Sequence, residues 1–369
     1  MKELPLQSLT LPEQSRVSKV SGKDFVVRAN AIGQATASTA GLIDFFGDHA
    51  DLIKQQLHVQ GVLLFRDLPL SSAEDYQKIL EALDYDLYRT NYGGASPRSN
   101  VTQKTFVSTE APPPFIIGLH TEFCYQTTRP EMISFFCIEP AAGYGETPLF
   151  DLSAVWRDLG EPLKEQLLQD GLLYRRRFFG AKSWINFHKT WRDTFATEEK
   201  AVVEKFLTAE GMAYMWDAQD NLSTELRVPA AMVDPLTGAP YLSITMFNAD
   251  AFIFNFRHFK ERYPWPVRKA LEWFVRHEYR DGNAFLQVLH GNGRSFTTEE
   301  NHRIQQAAWA NAIVFPWQRG DLLLIDNIRF GHARLNVRQP RRLIAAMANP
   351  YDVRKRPAGG LFMPSANYS

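Results

Sequence analysis

The residues best placed to do chemistry are His120 and Glu122 in the stretch Leu119-His120-Thr121-Glu122-Phe123, together with a distant Gly331-His332. In an extended segment alternate side chains share a face, so His120 and Glu122 point the same way with Thr121 opposed. A histidine and a carboxylate two apart, completed by His332, make the two-histidine, one-carboxylate face that holds iron(II) and leaves coordination positions open. Zinc accepts the same donors. The triplet alone is short enough to arise by chance, so its surroundings must carry the argument.

Three open positions on such an iron suit a bidentate 2-oxo acid and dioxygen. The far carboxylate of that acid needs a fixed cation, and arginine's planar fork matches a carboxylate without titrating away. Arg342 lies ten residues past His332 in an otherwise apolar strand and is the candidate. Arg341 should face the opposite side and reads as a surface charge.

The 369 residues are 45% hydrophobic and 22% charged, as expected of a globular chain with a large core. Lys plus Arg and Asp plus Glu are 41 each, so no net field draws in nucleic acid or an anionic membrane, and a small-molecule ligand is the default. Cys124 and Cys137 lie in apolar, strand-like surroundings without zinc spacing and read as buried thiols. No apolar run reaches membrane-spanning length, and the N-terminus lacks a signal-like core, which points to a cytoplasmic protein.

The elements that would position the site follow from periodicity and punctuation. Residues 1–20 read as a loosely held arm and 21–369 as one domain. Helical spacing over Gly41–His58 leads into a buried strand Val62–Phe65, and Ser71 with Glu74 forms a capping box for a helix to about Leu83. Ala111-Pro112-Pro113-Pro114 bars helix before the triplet. Met132–Ile138 and Thr147–Phe150 read as strands, and Asp151 caps a helix reaching toward Asp170. From 171 to 301 the pattern is mixed, with helices from Thr197 and around Trp265–Tyr279 and a strand at Tyr241–Phe247, and it reads as an insertion or lid. Arg175-Arg176-Arg177 reads as a solvated strand. Thr297 with Glu300 caps another helix, followed by strands at Ala312–Trp317, Asp321–Ile325 and Arg342–Met347.

The segments Leu119–Glu122, Gly145–Asp151, Trp317–Asn327 and His332-Ala333-Arg334 through Arg341-Arg342 occur in an order that resembles the taurine dioxygenase-like (TauD/TfdA) superfamily of Fe(II)/2-oxoglutarate-dependent oxygenases, over roughly Gly61 to Met347. The resemblance implies iron ligands at His120, Glu122 and His332, a cosubstrate carboxylate held by Arg342 with help from the Thr147 hydroxyl, and 2-oxoglutarate and O2 as co-reactants. It implies a mainly β fold with flanking helices, the double-stranded β-helix or jelly-roll. Tyr92–Arg98, Met132–Cys137 and Ser183-Trp184 look like the branch of the syringomycin-type aspartate hydroxylase, whose members act on amino acids, free or loaded on a peptidyl carrier protein.

Superfamily members more often carry Asp where Glu122 stands, although Glu occurs in this branch. Halogenating relatives lose the carboxylate, so Glu122 favours oxygen transfer. Ala249 departs from the branch's Phe-Asn-Gln pattern. Phe123, Asn248 and Arg334 are candidates for the substrate side, each with a plain structural alternative as core, turn and ion-pair partner. Hydroxylation is the default outcome, with desaturation and cyclisation sharing its first step. A zinc hydrolase would not need Arg342, and a non-catalytic binding module would not need the whole constellation. Arg354, Lys355 and Arg356 are candidates for a basic rim facing an acidic carrier protein.

Overall fold

The structure, a computed structural model, describes residues 26–28, 38–95, 98–181, 190–234, 238–280 and 284–355. The arm at 1–20, Ser96-Pro97, Ser183-Trp184 and Arg356 lie outside the described residues. A six-stranded sheet forms the centre, in the order Val26–Arg28, Val62–Arg66, Leu322–Asp326, Thr128–Glu139, Arg342–Asp352, Phe106–Val107. Its middle pairs are antiparallel. A four-stranded sheet, Ala312–Ile313, Leu149–Asp151, Phe330–Arg334 and Ile117–His120, supplies the second layer.

Period-two alternation explains how the large sheet is covered on both faces. Val62, Leu64, Ile133, Phe135, Leu323, Ile325, Leu343, Ala345 and Met347 join Leu119, Leu149, Phe150 and Phe330 of the small sheet in one core. Their neighbours Leu63, Phe65, Met132, Phe136, Leu322, Leu324, Ile344 and Ala346 face the other way. There they pack with the helices Thr39–Asp48, Ala50–Gln60 and Ala73–Ala82. These strands read as continuous apolar runs because neither face meets water.

Several elements differ in detail from the sequence reading. The first expected helix is two, parted at His49 and stopped by Gly61 at φ 81°. Ser72, not Ser71, is the next cap, accepting from Asp75 N–H. Asp151 does cap a helix, but it stops at Asp158, and after Gly160 at φ 82° a second runs Glu161–Asp170. Thr297 and Glu300 form the expected reciprocal capping box. The strand expected at Tyr241–Phe247 is instead Pro240–Leu242, and of Ala312–Trp317 only Ala312–Ile313 is strand.

Residues 171–301 build a third sheet, ordered Leu286–His290, Leu172–Phe178, Leu222–Val228, Ala213–Trp216, and two helices packed on each other, Ala249–His258 and Trp265–Glu278. Arg176, expected in solvent, is buried there. It donates to the Gly93 and Gly94 carbonyls at 2.6 and 3.2 Å and stacks on Tyr125 and Phe178. Both cysteines are buried free thiols.

Candidate metal centre

Antiparallel pairing of Ile117–His120 with Phe330–Arg334 sets His120 opposite His332, their ring centroids 4.1 Å apart. Gly331 permits this approach. A Cβ there would collide with Leu119 Cδ1 and come within 3.3 Å of the His120 carbonyl oxygen. The strand ends at His120, so Glu122 stands in the following turn rather than on an extended run. Its place is fixed from the other end of the chain. Asn327 Oδ1 accepts from Glu122 N–H at 2.8 Å, while Asn327 Nδ2 donates to the carbonyls of Glu122 at 3.2 Å and Pro130 at 2.9 Å.

One ligand atom from each of His120, Glu122 and His332 lies within 4.8 Å of the others. The His120 Nδ1 is 2.9 Å from the Gly118 carbonyl, which accepts only from a protonated nitrogen and so leaves Nε2 as the lone-pair donor. Burial pulls both imidazoles below their ordinary pKa, and the neutral ring is the form that binds a metal. His332 Nδ1 is buried and has no hydrogen-bond partner among the described residues. Two neutral imidazoles and a carboxylate on one side of a cavity fit the donor set of a ferrous centre with open positions.

Glu122 is held by Arg98, whose Nη2 donates to Glu122 Oε2 at 2.6 Å with both side chains nearly inaccessible to solvent. The sequence reading did not single out Arg98 as a site residue, though it lies at the end of a glycine-rich loop noted above. A cation fastened to one carboxylate oxygen limits the rotation of the group.

The triad opens on a cavity of about 410 Å³ that Thr147, Arg334 and Arg341 also line. Arg341 donates through Nε to the Gly145 carbonyl at 3.0 Å and through Nη2 to Thr147 Oγ1 at 3.3 Å, and Ser108 Oγ is 3.5 Å from Nη1. Thr147 Oγ1 also accepts from Trp317 Nε1 at 3.0 Å. Burial, with the Arg334 guanidinium nearby, pulls the Arg341 pKa down to about 9. Among the described residues no carboxylate forms an ion pair with Arg341.

Arg342, the residue expected here, is exposed and absent from this cavity. The two arginines do face opposite sides, but Arg341 continues the parity of Leu343, Ala345 and Met347, whereas Arg342 shares the outer side of Ile344 and Ala346. Apolar neighbours could not identify the inner side of a strand buried on both faces.

Two substrate-side candidates also fall elsewhere. Phe123 adopts φ 58° and turns into the core against Tyr88 and Tyr125. Asn248 caps the helix Ala249–His258, accepting from Ala251 N–H at 2.9 Å. Arg334 does line the cavity, but it meets the carbonyls of Ala111, Pro112 and Phe115 at 2.8, 2.8 and 2.7 Å rather than a carboxylate. Burial draws its pKa to about 10. Of the candidate basic rim, Arg354 pairs with Asp352. No described helix is long and apolar enough to cross a membrane.

The chain resembles several known proteins along most of its length. The chain is 28% identical over 316 residues to the dapdiamide synthesis protein DdaC of Enterobacter agglomerans, covering 86% of this chain and 90% of that one. It is 29% identical over 297 residues to a clavaminate synthase-like protein of Arabidopsis thaliana, covering 79% and 82%. Among solved structures, a putative alpha-ketoglutarate-dependent taurine dioxygenase from Burkholderia xenovorans superposes with a TM-score of 0.44 at 16% identity, over 83% and 84% of the two chains. The family model described as taurine catabolism dioxygenase TauD, TfdA family matches residues 27–347, so the chain belongs to that family and is a 2-oxoglutarate-dependent non-haem iron dioxygenase.

Proposed function

We propose that the protein hydroxylates an unactivated C–H bond of an amino acid or amino-acid-derived intermediate, free or tethered to a carrier protein, in natural-product biosynthesis. The observation that carries the reading is Arg341: a half-buried guanidinium without a carboxylate partner among the described residues, beside the Thr147 hydroxyl and on the same cavity as the His120, Glu122, His332 triad. An acid that chelates iron at one end and is anionic at the other supplies the missing counter-charge. DdaC, a dapdiamide synthesis protein, supports a biosynthetic setting.

With iron and 2-oxoglutarate bound, the site supplies oxidative chemistry in which O2 and 2-oxoglutarate yield succinate and CO2 while a substrate C–H becomes C–OH. The chain's own residues bind and orient. His120, Glu122 and His332 hold the metal, Arg98 and Asn327 fix Glu122, and Arg341 with Thr147 takes the distal carboxylate of the cosubstrate. In this reading the two facing sheets form the double-stranded β-helix, and residues 171–301 serve as the lid that shields the site from water.

Succinate formation from 2-oxoglutarate tests the reading. Anaerobically reconstituted Fe(II) protein is exposed to O2 with and without a panel of free and carrier-loaded amino acids. Substrate-stimulated succinate, lost in His332→Ala, is expected. Stoichiometric zinc in the purified protein with hydrolysis of a test ester or amide, and no succinate, would overturn it.

A further inference from the structure

Arg98 carries more hydrogen-bond donors than the metal centre uses. Its side chain is 6% exposed and lines the cavity of the triad, with Nη2 donating to Glu122 Oε2 at 2.6 Å. Nε and Nη1 are buried and have no acceptor among the described residues. A guanidinium offers two forks, Nε with Nη2 and Nη1 with Nη2. Glu122 Oε2 is the acceptor of Nη2 among the described residues, so whichever Nη2 hydrogen it takes, the other fork keeps both of its N–H groups.

The chain on either side holds that fork in place. Ahead of it, the Gly93 and Gly94 carbonyls accept from Arg176, and the Ala95 N–H donates to Tyr125 Oη at 2.8 Å. Behind it, the Ser99 N–H and hydroxyl both donate to Glu110 Oε1, which ties that acid to Ser99. The other two arginines of the lining are occupied differently. Arg334 engages both Nη groups with three carbonyls and leaves only Nε, a single N–H without a fork. Arg341 meets Gly145, Ser108 and Thr147. In the oxygenase reading above, Arg341 takes the distal carboxylate of 2-oxoglutarate and the metal takes its other end. Both ends of the cosubstrate are then seated, and the open fork of Arg98 is left for a different molecule. A buried cation in a wall that also includes Phe247, Phe274 and Phe285 favours an acceptor that brings charge.

We infer that Arg98 binds a carboxylate of the primary substrate through this fork, anchoring the substrate on the side chain that also holds a metal ligand. The inference rests on the oxygenase reading and names a group the substrate must carry. A free amino acid supplies it at either end. An amino acid joined to a carrier through its α-carboxylate must supply a second one.

The test uses full-length protein saturated with Fe(II) and 2-oxoglutarate without oxygen, the visible charge-transfer band of the iron chelate confirming the loading. L-Aspartate, L-asparagine and L-aspartic acid α-amide are titrated by calorimetry, since they differ only in which carboxylate is masked. The parent is expected to bind aspartate about 10-fold more tightly than the amide that masks the gripped carboxylate, the difference between a charged and a neutral acceptor. In Arg98→Gln at the same metal saturation that ratio should fall below about 3-fold. A ratio within one protein cancels any shared loss from a disturbed Glu122. If the glutamine variant does not fold, Arg98→Lys, which keeps the charge without the fork, should cut the ratio by about 3-fold. Equal affinities for the three in the parent, no binding of any, or a ratio unchanged in the variants overturns the inference, while a normal chelate band leaves the oxygenase reading standing. A loss in Arg98→Gln confined to 2-oxoglutarate affinity also overturns it and gives Arg98 to the cosubstrate. Absence of the band in the parent overturns both.

Discussion

Replacing Arg341 by methionine keeps most of the apolar stem and removes the charge. A guanidinium has five N–H donors, and Gly145, Thr147 and Ser108 engage three, leaving about two for a ligand carboxylate. Truncating one partner of a buried, hydrogen-bonded charge pair costs about 2–5 kcal/mol. Taking about 3 kcal/mol, and about 1.4 kcal/mol per decade, Arg341→Met should weaken 2-oxoglutarate by about 150-fold. Arg342→Met, on an exposed side chain, should change it by less than about 2-fold. Titrating the anaerobic iron chelate band with 2-oxoglutarate measures both. Stability should move the other way. Burial lowers the Arg341 pKa to about 9, so the guanidinium is still charged at neutral pH but its charge is held at a cost in the folded state. The methionine variant should therefore be at least as stable as the parent in urea. An Arg341→Met protein that binds 2-oxoglutarate within 3-fold of the parent, or an Arg342→Met protein that loses as much, would refute the assignment.

Three further outcomes follow from the same geometry. Arg98→Gln frees one Glu122 oxygen and should weaken Fe(II) by about 10–100-fold in a competitive chelator titration, with unchanged affinity counting against its orienting role. Gly331→Ala forces a methyl group against Leu119 beside both histidines, and should cost about 1–3 kcal/mol in urea denaturation together with metal affinity. For Glu300, burial works to raise the pKa, but the Arg294 and Thr297 hydrogen bonds prevail and hold it at about 2. Its contribution should be present above about pH 4.5 and fade as the pH falls toward 2. Glu300→Gln should thus lower stability by about 1 kcal/mol at pH 7 and converge on the parent in acid, as denaturation at several pH values would show.

The parts of the site legible in the sequence were those set by local chemistry. Two donors two residues apart and a third far downstream are visible as residue types, as are Thr147 beside a turn and the Thr297–Glu300 box, although Glu122 proves to lie in the turn after the strand. What escaped was which side a residue faces where both sides are buried. The strand beginning at Arg342 is apolar on both faces, so no pattern favoured Arg341 over its neighbour. Arg98 escaped for a different reason, since its partner Glu122 is brought to it by the fold and an arginine in a loop ordinarily reads as solvated. Phe247, Phe274 and Phe285 look in sequence like any core aromatic. Only the cavity shows that they line the same space as the metal triad.

The pairing of His120 with His332 also sets when the site can come into being. Closing a loop between these two strands carries an entropic cost that only the assembled sheets offset, and the second histidine lies far downstream of the first. During synthesis the ribosome releases His120 and Glu122 long before their partner emerges, with nothing to set their spacing. Iron therefore has no complete seat until the chain through His332 has emerged and its strand has paired with that of His120.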